Sequence, residues 1–145
     1  IYLALILITS PLQAAAEEFF FRGYLQQAIG SLAGRAWVGV ACSSLVFAIF
    51  HGEQNVALFA HRLGFGLIAG TLVWATGGLE AAIAVHVANN VFAFGYALFT
   101  GGVATLKATS AISWEAACSD LASFAVFGAL AWWIGRRMHV ATLTP

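Results

Sequence analysis

The chain has 145 residues, of which 61% are hydrophobic and only 8% are charged, and its formal net charge is zero. A soluble domain carries roughly 25% charged residues. Too few charges are present here to cover a surface that faces water, so the composition excludes an ordinary soluble domain. The zero net charge and the lack of a basic block in the sequence argue against nucleic-acid binding. The composition predicts a multi-pass integral membrane protein, in the plasma membrane if the source is bacterial, with the lipid bilayer as its main solvent.

Five apolar segments are long enough, or nearly so, to cross about 30 Å of hydrocarbon, which takes about 20 residues of helix. They are predicted at about residues 1–29, 36–50, 56–75, 79–99 and 116–134. Pro11 predicts a bend in the first segment because proline removes a backbone donor, and residues 30–35 predict the first break. The polar connection over residues 103–115 is expected to contain a short interfacial helix. The predicted fold class is an all-α, polytopic transmembrane helix bundle of about five membrane segments.

The start of the chain and its loop charges bear on topology. Ile1 opens inside an apolar run with no charged region before it, which is not typical of a signal peptide. We interpret residues 1–145 as a single transmembrane domain, excerpted from a longer chain. Alternating spans place Arg35 and Arg136–Arg137 on one side, which is predicted to be cytoplasmic because basic residues favour that side. The opposite side receives Glu53, Lys107, Glu115 and Asp120.

Small residues recur in the third segment. Gly64, Gly66, Ala69 and Gly70 would let a neighbouring helix approach closely, as small residues do in membrane proteins. Plain helix packing is the interpretation that we favour for this stretch.

Two acidic residues, Glu17 and Glu18, stand side by side in the first apolar segment. Carboxylates are very costly in hydrocarbon and persist there only when they face a protein interior or a wet cavity and have partners. Arg22 follows Glu18 by four residues, so these two share a helix face and are predicted to form an ion pair. Glu17 then points about 100° away and has no local counter-ion, given 3.6 residues per turn. A carboxylate with an ion-pair partner beside a carboxylate without one is more typical of a catalytic site than of helix packing.

Two further polar groups interrupt the later segments. His51 follows Phe47 by four residues, so the ring of Phe47 is predicted to pack against the imidazole and fix its orientation. His86 and Asn90 lie one turn apart in the fourth segment and share a helix face. Taken singly, each group has a structural explanation: an ion pair that locks helices, an interfacial histidine, or hydrogen bonding between helices.

Taken together, these groups favour hydrolysis of a substrate by activated water. A carboxylate can act as a general base, and a neutral histidine or an asparagine amide can donate hydrogen bonds to a developing oxyanion. The candidate catalytic residues are Glu17, His51, His86 and Asn90.

The sequence contains three ordered motifs: Glu-Glu-x-x-x-Arg at 17–22, Phe-x-x-x-His at 47–51 and His-x-x-x-Asn at 86–90. In this respect it resembles the type II CAAX prenyl endopeptidases, also called the CPBP or Abi family of intramembrane proteases, which includes bacteriocin-processing and immunity proteins. All three motifs match without substitution. The resemblance implies an intramembrane endopeptidase that cuts a peptide or protein substrate, with or without an attached lipid, near the membrane surface.

The resemblance also implies a role for each motif residue. Glu17 would be the general base that activates water, assisted by His51, and His86 with Asn90 would stabilise the oxyanion. Glu18 and Arg22 would hold the first helix and shape the site, which agrees with their spacing.

The same family has also been described as zinc-dependent, and Glu17, His51 and His86 offer three ligands with a fourth position left for water. No His-Glu-x-x-His run is present, however, and the ligands would come from three separate helices. We favour the mechanism without a metal or cofactor.

Two other functions fit the composition. A membrane immunity or scaffold protein would keep the polar cluster for helix packing. A small transporter would use Glu17 as a proton carrier, but its polar groups would then be expected to form a relay across the bilayer.

Straight helices place His86 about 10 Å and His51 about 22 Å from the cytoplasmic boundary, at 1.5 Å per residue. Helix tilt, a bend at Pro11 or a non-helical stretch near Gly77–Gly78 is needed to bring them together.

Overall fold

The computed structural model describes residues 1–52, 54–100, 102 and 109–139. All the regular structure in these ranges is helical, which confirms the predicted all-α bundle. The helices are α1 (Tyr2–Glu18), a π-helical stretch (Phe19–Leu25), α2 (Gln26–Ala33), α3 (Ala36–Phe50), α4 (Val56–Thr76), α5 (Glu80–Thr100) and α6 (Trp114–Arg137). Helix α1 packs on α5, α2 packs on α3, and α4 lies between α3 and α6.

Among the described residues, four helical runs are long and apolar enough to cross a membrane: Tyr2–Ala33, Val56–Thr76, Glu80–Thr100 and Trp114–Arg137. Helix α3, the second of the five predicted segments, has 15 residues, so it rises only about 22 Å. It is shorter than the roughly 30 Å of hydrocarbon. The outer faces of the bundle carry many exposed large apolar side chains, such as Leu12, Phe92 and Trp133, as expected for a protein whose solvent is lipid.

The first helical run differs from the prediction at its end. We expected a break over residues 30–35, but α2 continues to Ala33 and ends at Gly34, whose φ of 62° is left-handed. Glycine adopts this conformation without the penalty that a Cβ imposes, and for this reason it commonly ends helices. Gly30 stays helical, and a Cβ there would meet the Ala36 Cα at 3.5 Å. Pro11 lies inside α1 without interrupting it.

The π-helical stretch begins directly after the two glutamates, and the sequence analysis did not predict it. Wider π turns are rare and occur often at functional sites. They also change the hydrogen bonding of the backbone, and here the Ser43 hydroxyl of α3 donates to the carbonyl of Phe21 at 2.6 Å. Ser43 is fully buried, so this bond ties the stretch to α3.

The core is built around aromatic rings that contact one another. Phe47 lies between Phe21, at 5.1 Å between ring centroids, and Phe65, at 5.8 Å. Phe124 of α6 then meets Phe65 at 5.1 Å. These contacts run from the π-helical stretch through α3 and α4 to α6, so they join four elements at one level of the bundle.

Small residues allow the helices to approach one another at this level. A Cβ at Gly66 would lie 3.0 Å from the Cα of Ser44, and a Cβ at Gly70 would lie 2.6 Å from Gln26 Oε1. The helix-packing interpretation of the third segment is therefore confirmed. Gly39 of α3, which the prediction did not single out, makes the closest approach, since a Cβ there would overlap the carbonyl oxygen of Gln26.

A non-helical stretch separates α4 from α5. Residues 77–79 are not helical, and the side chain of Leu79 lies 3.2 Å from where a Cβ of Gly23 would stand. Helix α5 therefore begins level with the π-helical stretch rather than level with Arg35. The break near Gly77–Gly78, which the sequence analysis gave as one of three ways to bring His86 toward His51, is present.

The connection before α6 is described in part. Residues 101 and 103–108 lie outside the described ranges, and with them part of the connection in which an interfacial helix was predicted; residues 109–113 are not helical. Glu53 and Lys107, which entered the orientation argument, are likewise outside them. Asn55 fixes the described end of the connection, because its amide donates to the Ile112 carbonyl at 2.9 Å while its oxygen caps α4.

Gly39→Ala tests the close approach of α2 and α3. The added Cβ would meet two backbone atoms, the Gln26 oxygen and the Gly30 nitrogen, which cannot move aside cheaply. We expect the free energy of unfolding to fall by about 1–3 kcal/mol, the usual cost of overpacking. Thermal unfolding in detergent micelles, followed by circular dichroism, measures this change.

Gly95→Ala is the matched control, since nothing lies within 4 Å of a Cβ built there. Alanine favours helix over glycine, so this variant should melt no lower than the parent. A Gly39→Ala protein that melts with the parent would contradict the packing described for α3.

Candidate active site

The predicted ion pair between Glu18 and Arg22 is present at the end of α1. Arg22 Nη1 donates to Glu18 Oε1 at 3.0 Å, and both side chains are fully buried. They are among the largest fully buried side chains in the described part of the chain. A buried charge is tolerated only with a partner, so the four-residue spacing found in the sequence produces a closed pair inside the bundle.

Aromatic rings surround the rest of the Arg22 guanidinium. Its central carbon lies 4.6 Å from the ring centroid of Phe47, 5.7 Å from that of Phe65 and 5.9 Å from that of Phe21. Within the described residues, Nε and Nη2 of Arg22 have no hydrogen-bond partner. A guanidinium is attracted to the negative face of an aromatic ring, so the surrounding rings stabilise the part of the Arg22 guanidinium that makes no hydrogen bond.

Glu18 has a second partner from a distant part of the sequence. His86 Nδ1 lies 2.7 Å from the same oxygen, Oε1, that accepts from Arg22. An ionised carboxylate can only accept hydrogen bonds, so the ring nitrogen carries the hydrogen. His86 is 4% exposed. The sequence analysis placed it with Glu17 among the candidate catalytic residues but did not predict its contact with Glu18.

Glu17 is not the unpaired carboxylate that the sequence predicted. Its Oε1 accepts from Gln13 Nε2 at 2.9 Å, and its Oε2 lies 3.8 Å from His86 Nε2. Helical periodicity correctly predicted that Glu17 points in a different direction from Glu18. It could not show that α5 brings His86 between the two acids. Glu17 Oε2 is buried and has no direct hydrogen bond among the described residues.

The imidazole of His51 stands just beyond α3 and packs against Phe47 as predicted, with ring centroids 4.3 Å apart. Its Nδ1 lies 2.7 Å from the Phe47 carbonyl oxygen, which can only accept, so Nδ1 donates and Nε2 remains free to accept. Loss of hydration lowers the pKa of His51, while the Phe47 carbonyl and the nearby Glu17 carboxylate act in the opposite direction. The lowered pKa favours a neutral imidazole at neutral pH.

Arg62 holds the backbone at His51. Its Nη1 donates to the His51 carbonyl at 3.0 Å and to Gln54 Oε1 at 2.7 Å. Gln54 in turn donates to the Ala48 carbonyl at 2.7 Å. Arg62 therefore holds the turn that carries His51, a candidate catalytic residue.

Asn90 lies one turn after His86 on α5 and is partly buried. The amide of Asn89 donates to Asn90 Oδ1 at 3.1 Å. This bond orients the Asn90 side chain so that its own amide group remains a donor. The four-residue spacing places Asn90 on the same helix face as His86, whereas the direct hydrogen bond of His86 goes to Glu18.

The candidate zinc ligands meet only in part. Glu17 and His86 face one another, and His51 is near enough for its pKa to respond to both. Both histidines donate from Nδ1 to an oxygen, so Nε2 is the nitrogen left to bind a metal, a pattern that histidine ligands of metals share. In the described ranges, however, no group of three His, Cys, Asp or Glu side chains is placed to hold a metal ion.

Several residues that shape the site gave little signal in the sequence. Gln13 stands four residues before Glu17, a spacing that could have identified it as a partner. Phe65, whose ring centroid lies 4.8 Å from that of His86, is one apolar residue among many. Ser43 and Arg62 act across helices, and no local spacing predicts such contacts.

Comparison with known proteins places these residues in a family. The sequence model of the family described as "Type II CAAX prenyl endopeptidase Rce1-like" matches residues 1–92, which contain all three motifs. The chain is also 35% identical over 96 residues to the "Uncharacterized protein YyaK" of Bacillus subtilis (strain 168). That alignment covers 62% of this chain and 32% of the relative, so the chain matches about a third of the relative's length. No solved structure matches the chain significantly.

Arg22→Met tests the buried pair as a stabilising element. It removes the cation from a fully buried carboxylate, and breaking one side of such a pair costs about 3–5 kcal/mol of stability. We expect a large loss of unfolding free energy in detergent, measured by titration with a denaturing detergent. Arg35→Met is the matched control, because Arg35 is exposed at the start of α3, and it should change stability little.

Adding Glu18→Leu to Arg22→Met should recover part of the loss, since replacing both charges by apolar groups avoids an uncompensated charge. Additive losses in the double variant would show that the two side chains do not act as a pair.

Proposed function

We propose, from the premise that the chain belongs to the type II CAAX prenyl endopeptidase Rce1-like family, that Glu17 activates water to hydrolyse a peptide bond. The family is one of intramembrane proteases, and the bundle is that of an integral, multi-pass membrane protein. The specific catalytic residues and the substrate are our own assignments. The observation that carries them is the convergence of Glu17, Glu18 and His86 from α1 and α5, with His51 close by.

Glu17 and His86 face one another without a direct hydrogen bond. Their facing atoms, Oε2 and Nε2, are 3.8 Å apart, which is too far for such a bond. Glu17 is also less buried than Glu18, with 24% of its side chain exposed against none. The assignment of Glu17 as the base therefore rests on access as well as on position.

In the proposed reaction, the Glu17 carboxylate takes a proton from water while the water oxygen attacks the carbonyl carbon of the peptide. The resulting tetrahedral oxyanion collapses, the carbon–nitrogen bond breaks, and the proton passes to the leaving amine. His51 would assist through Nε2, which can accept a proton because Nδ1 carries the hydrogen. General base catalysis of this kind typically contributes 10²- to 10⁴-fold.

The oxyanion would be held by His86 and Asn90. Asn90 offers its amide hydrogens, and His86 offers Nε2. Because Nδ1 of His86 already donates to Glu18, Nε2 can donate only when the ring is a protonated imidazolium.

A zinc-dependent version of the same hydrolysis is the second candidate. The observation in its favour is that both histidines have Nδ1 hydrogen-bonded to an oxygen, which leaves Nε2 as the nitrogen for a metal. Glu17, His51 and His86 would hold the ion, which would lower the pKa of a bound water. We favour the metal-free mechanism because the described side chains do not form a three-ligand group.

Glu17→Gln is expected to abolish proteolysis, because an amide cannot take the proton from water. The assay uses purified protein in lipid vesicles, a prenylated peptide ending in a CAAX-type sequence, and an unmodified peptide library, with products identified by mass spectrometry. Glu115→Gln is the control, since Glu115 is exposed at the start of α6, and it should cleave like the parent. Undiminished cleavage by folded Glu17→Gln protein would remove Glu17 as the base.

Chelation separates the two mechanisms. A zinc enzyme needs its ion, so a chelator should stop the reaction and added zinc should restore it. The glutamate mechanism predicts that turnover survives chelation, with bound metal quantified on the same sample by elemental analysis. Stoichiometric zinc together with reversible loss of activity would establish the metal mechanism and recast Glu17, His51 and His86 as ligands.

A further inference from the structure

We infer that Glu18 is a positioning residue that fixes the tautomer and orientation of His86, so that Nε2 of His86 is the nitrogen directed at Glu17. This inference rests on the proposed function, in which Nε2 of His86, once protonated, acts on the oxyanion. It gives the second glutamate of the pair a task beyond the ion pair with Arg22.

One oxygen atom carries the argument. Glu18 Oε1 accepts from Arg22 Nη1 at 3.0 Å and lies 2.7 Å from His86 Nδ1. Arg22 therefore holds the oxygen in place, and the oxygen holds the ring nitrogen. All three side chains are buried, so water does not compete for these bonds.

The tautomer follows from this contact. A carboxylate accepts and cannot donate, so the hydrogen of neutral His86 sits on Nδ1 and the lone pair sits on Nε2. The outer partner of an imidazole commonly decides which nitrogen carries the proton. Without Glu18, nothing described at Nδ1 would select this tautomer.

The orientation of the ring is fixed by the same contact and by two aromatic neighbours. The ring centroid of His86 lies 4.8 Å from Phe65 and 6.1 Å from Phe47, both edge-on. These rings limit rotation of the imidazole, while Glu18 determines which edge faces inward. The remaining edge then points to Glu17 Oε2, 3.8 Å from Nε2.

The test must separate positioning from folding, because Glu18→Leu alone would leave Arg22 buried without a partner. Glu18→Leu combined with Arg22→Met removes both charges together, which proteins often tolerate. Glu18→Gln is the conservative variant, since its amide oxygen can still accept from Nδ1. Asp120→Asn is the matched control: it alters another carboxylate beside a histidine, Asp120 Oδ2 being 3.5 Å from His61 Nε2.

The primary measurement is ¹⁵N NMR of protein labelled at histidine in lipid nanodiscs. The chain has four histidines, and the His86 signals are assigned by their loss in His86→Gln. At a pH where the ring is neutral, the parent, Glu18→Gln and Asp120→Asn proteins should show His86 protonated on Nδ1. The double variant should show the Nε2-protonated form or a mixture of the two.

Kinetics in the vesicle assay give the second readout. We expect the double variant to lose about 10- to 100-fold in kcat, the usual cost of removing a second partner of a catalytic histidine, with KM little changed. Glu18→Gln should retain more turnover than the double variant. An unchanged His86 tautomer in the double variant, or unchanged kcat despite an altered tautomer, would overturn the inference.

The NMR result does not depend on catalysis. A parent protein that cleaves no peptide but shows the Glu18-dependent tautomer would refute the proposed function and leave the structural part of this inference standing. A parent that cleaves with a tautomer independent of Glu18 would refute the inference alone.

Discussion

The shared oxygen of Glu18 is the contact on which the rest of the site depends. It joins α1 to α5 by binding Arg22 and His86 at once, and it does so where water is excluded. In such surroundings an unsatisfied charge costs far more than in water. The bundle must therefore keep these three groups together, and the aromatic core around Arg22 is arranged so that the remaining guanidinium surface meets ring faces.

This requirement explains several features that look separate. The π-helical stretch that contains Arg22 is tied to α3 by Ser43, and Phe47 of α3 contacts both Arg22 and His51. The contacts that hold the buried Glu18–Arg22 pair therefore also hold α3, which ends just before the exposed His51. The functional groups then fall into a buried set, Glu18, Arg22 and His86, and a more accessible set, Glu17 and His51. The proposed hydrolysis near a membrane surface would use this division, because water and peptide must reach the proposed base, Glu17, while the supporting charges stay buried.

The contrast between the two glutamates shows how small the structural difference is between a supporting and a reacting carboxylate. They are adjacent in sequence and both contact His86, yet one is fully buried against a cation and the other accepts from a neutral amide, Gln13. Burial and partner, rather than residue type, assign their different proposed roles. The same reasoning makes Gln13 part of the site, since it orients Glu17 without neutralising it.

The sequence alone determined the features that depend on composition and on neighbours within one helical turn. Low charge specified a membrane bundle, apolar lengths located the helices, and the four-residue spacings placed Arg22 beside Glu18 and Phe47 beside His51. The ordered motifs also indicated the family that the comparison established. These inferences succeed because helical geometry is regular and local, so residues one turn apart are neighbours in any bundle.

Only the tertiary structure decided which helix faces meet. His86 contacts Glu18 across 68 positions of sequence, Arg62 binds the backbone at His51, and the first helix ends at Gly34 rather than at Gly30. Each outcome depends on how helices cross, which is set by close contacts at glycines such as Gly39 and by the non-helical stretch before α5. The way the helices cross depends on many small packing energies between residues that are distant in sequence. Helical periodicity carries no information about those energies.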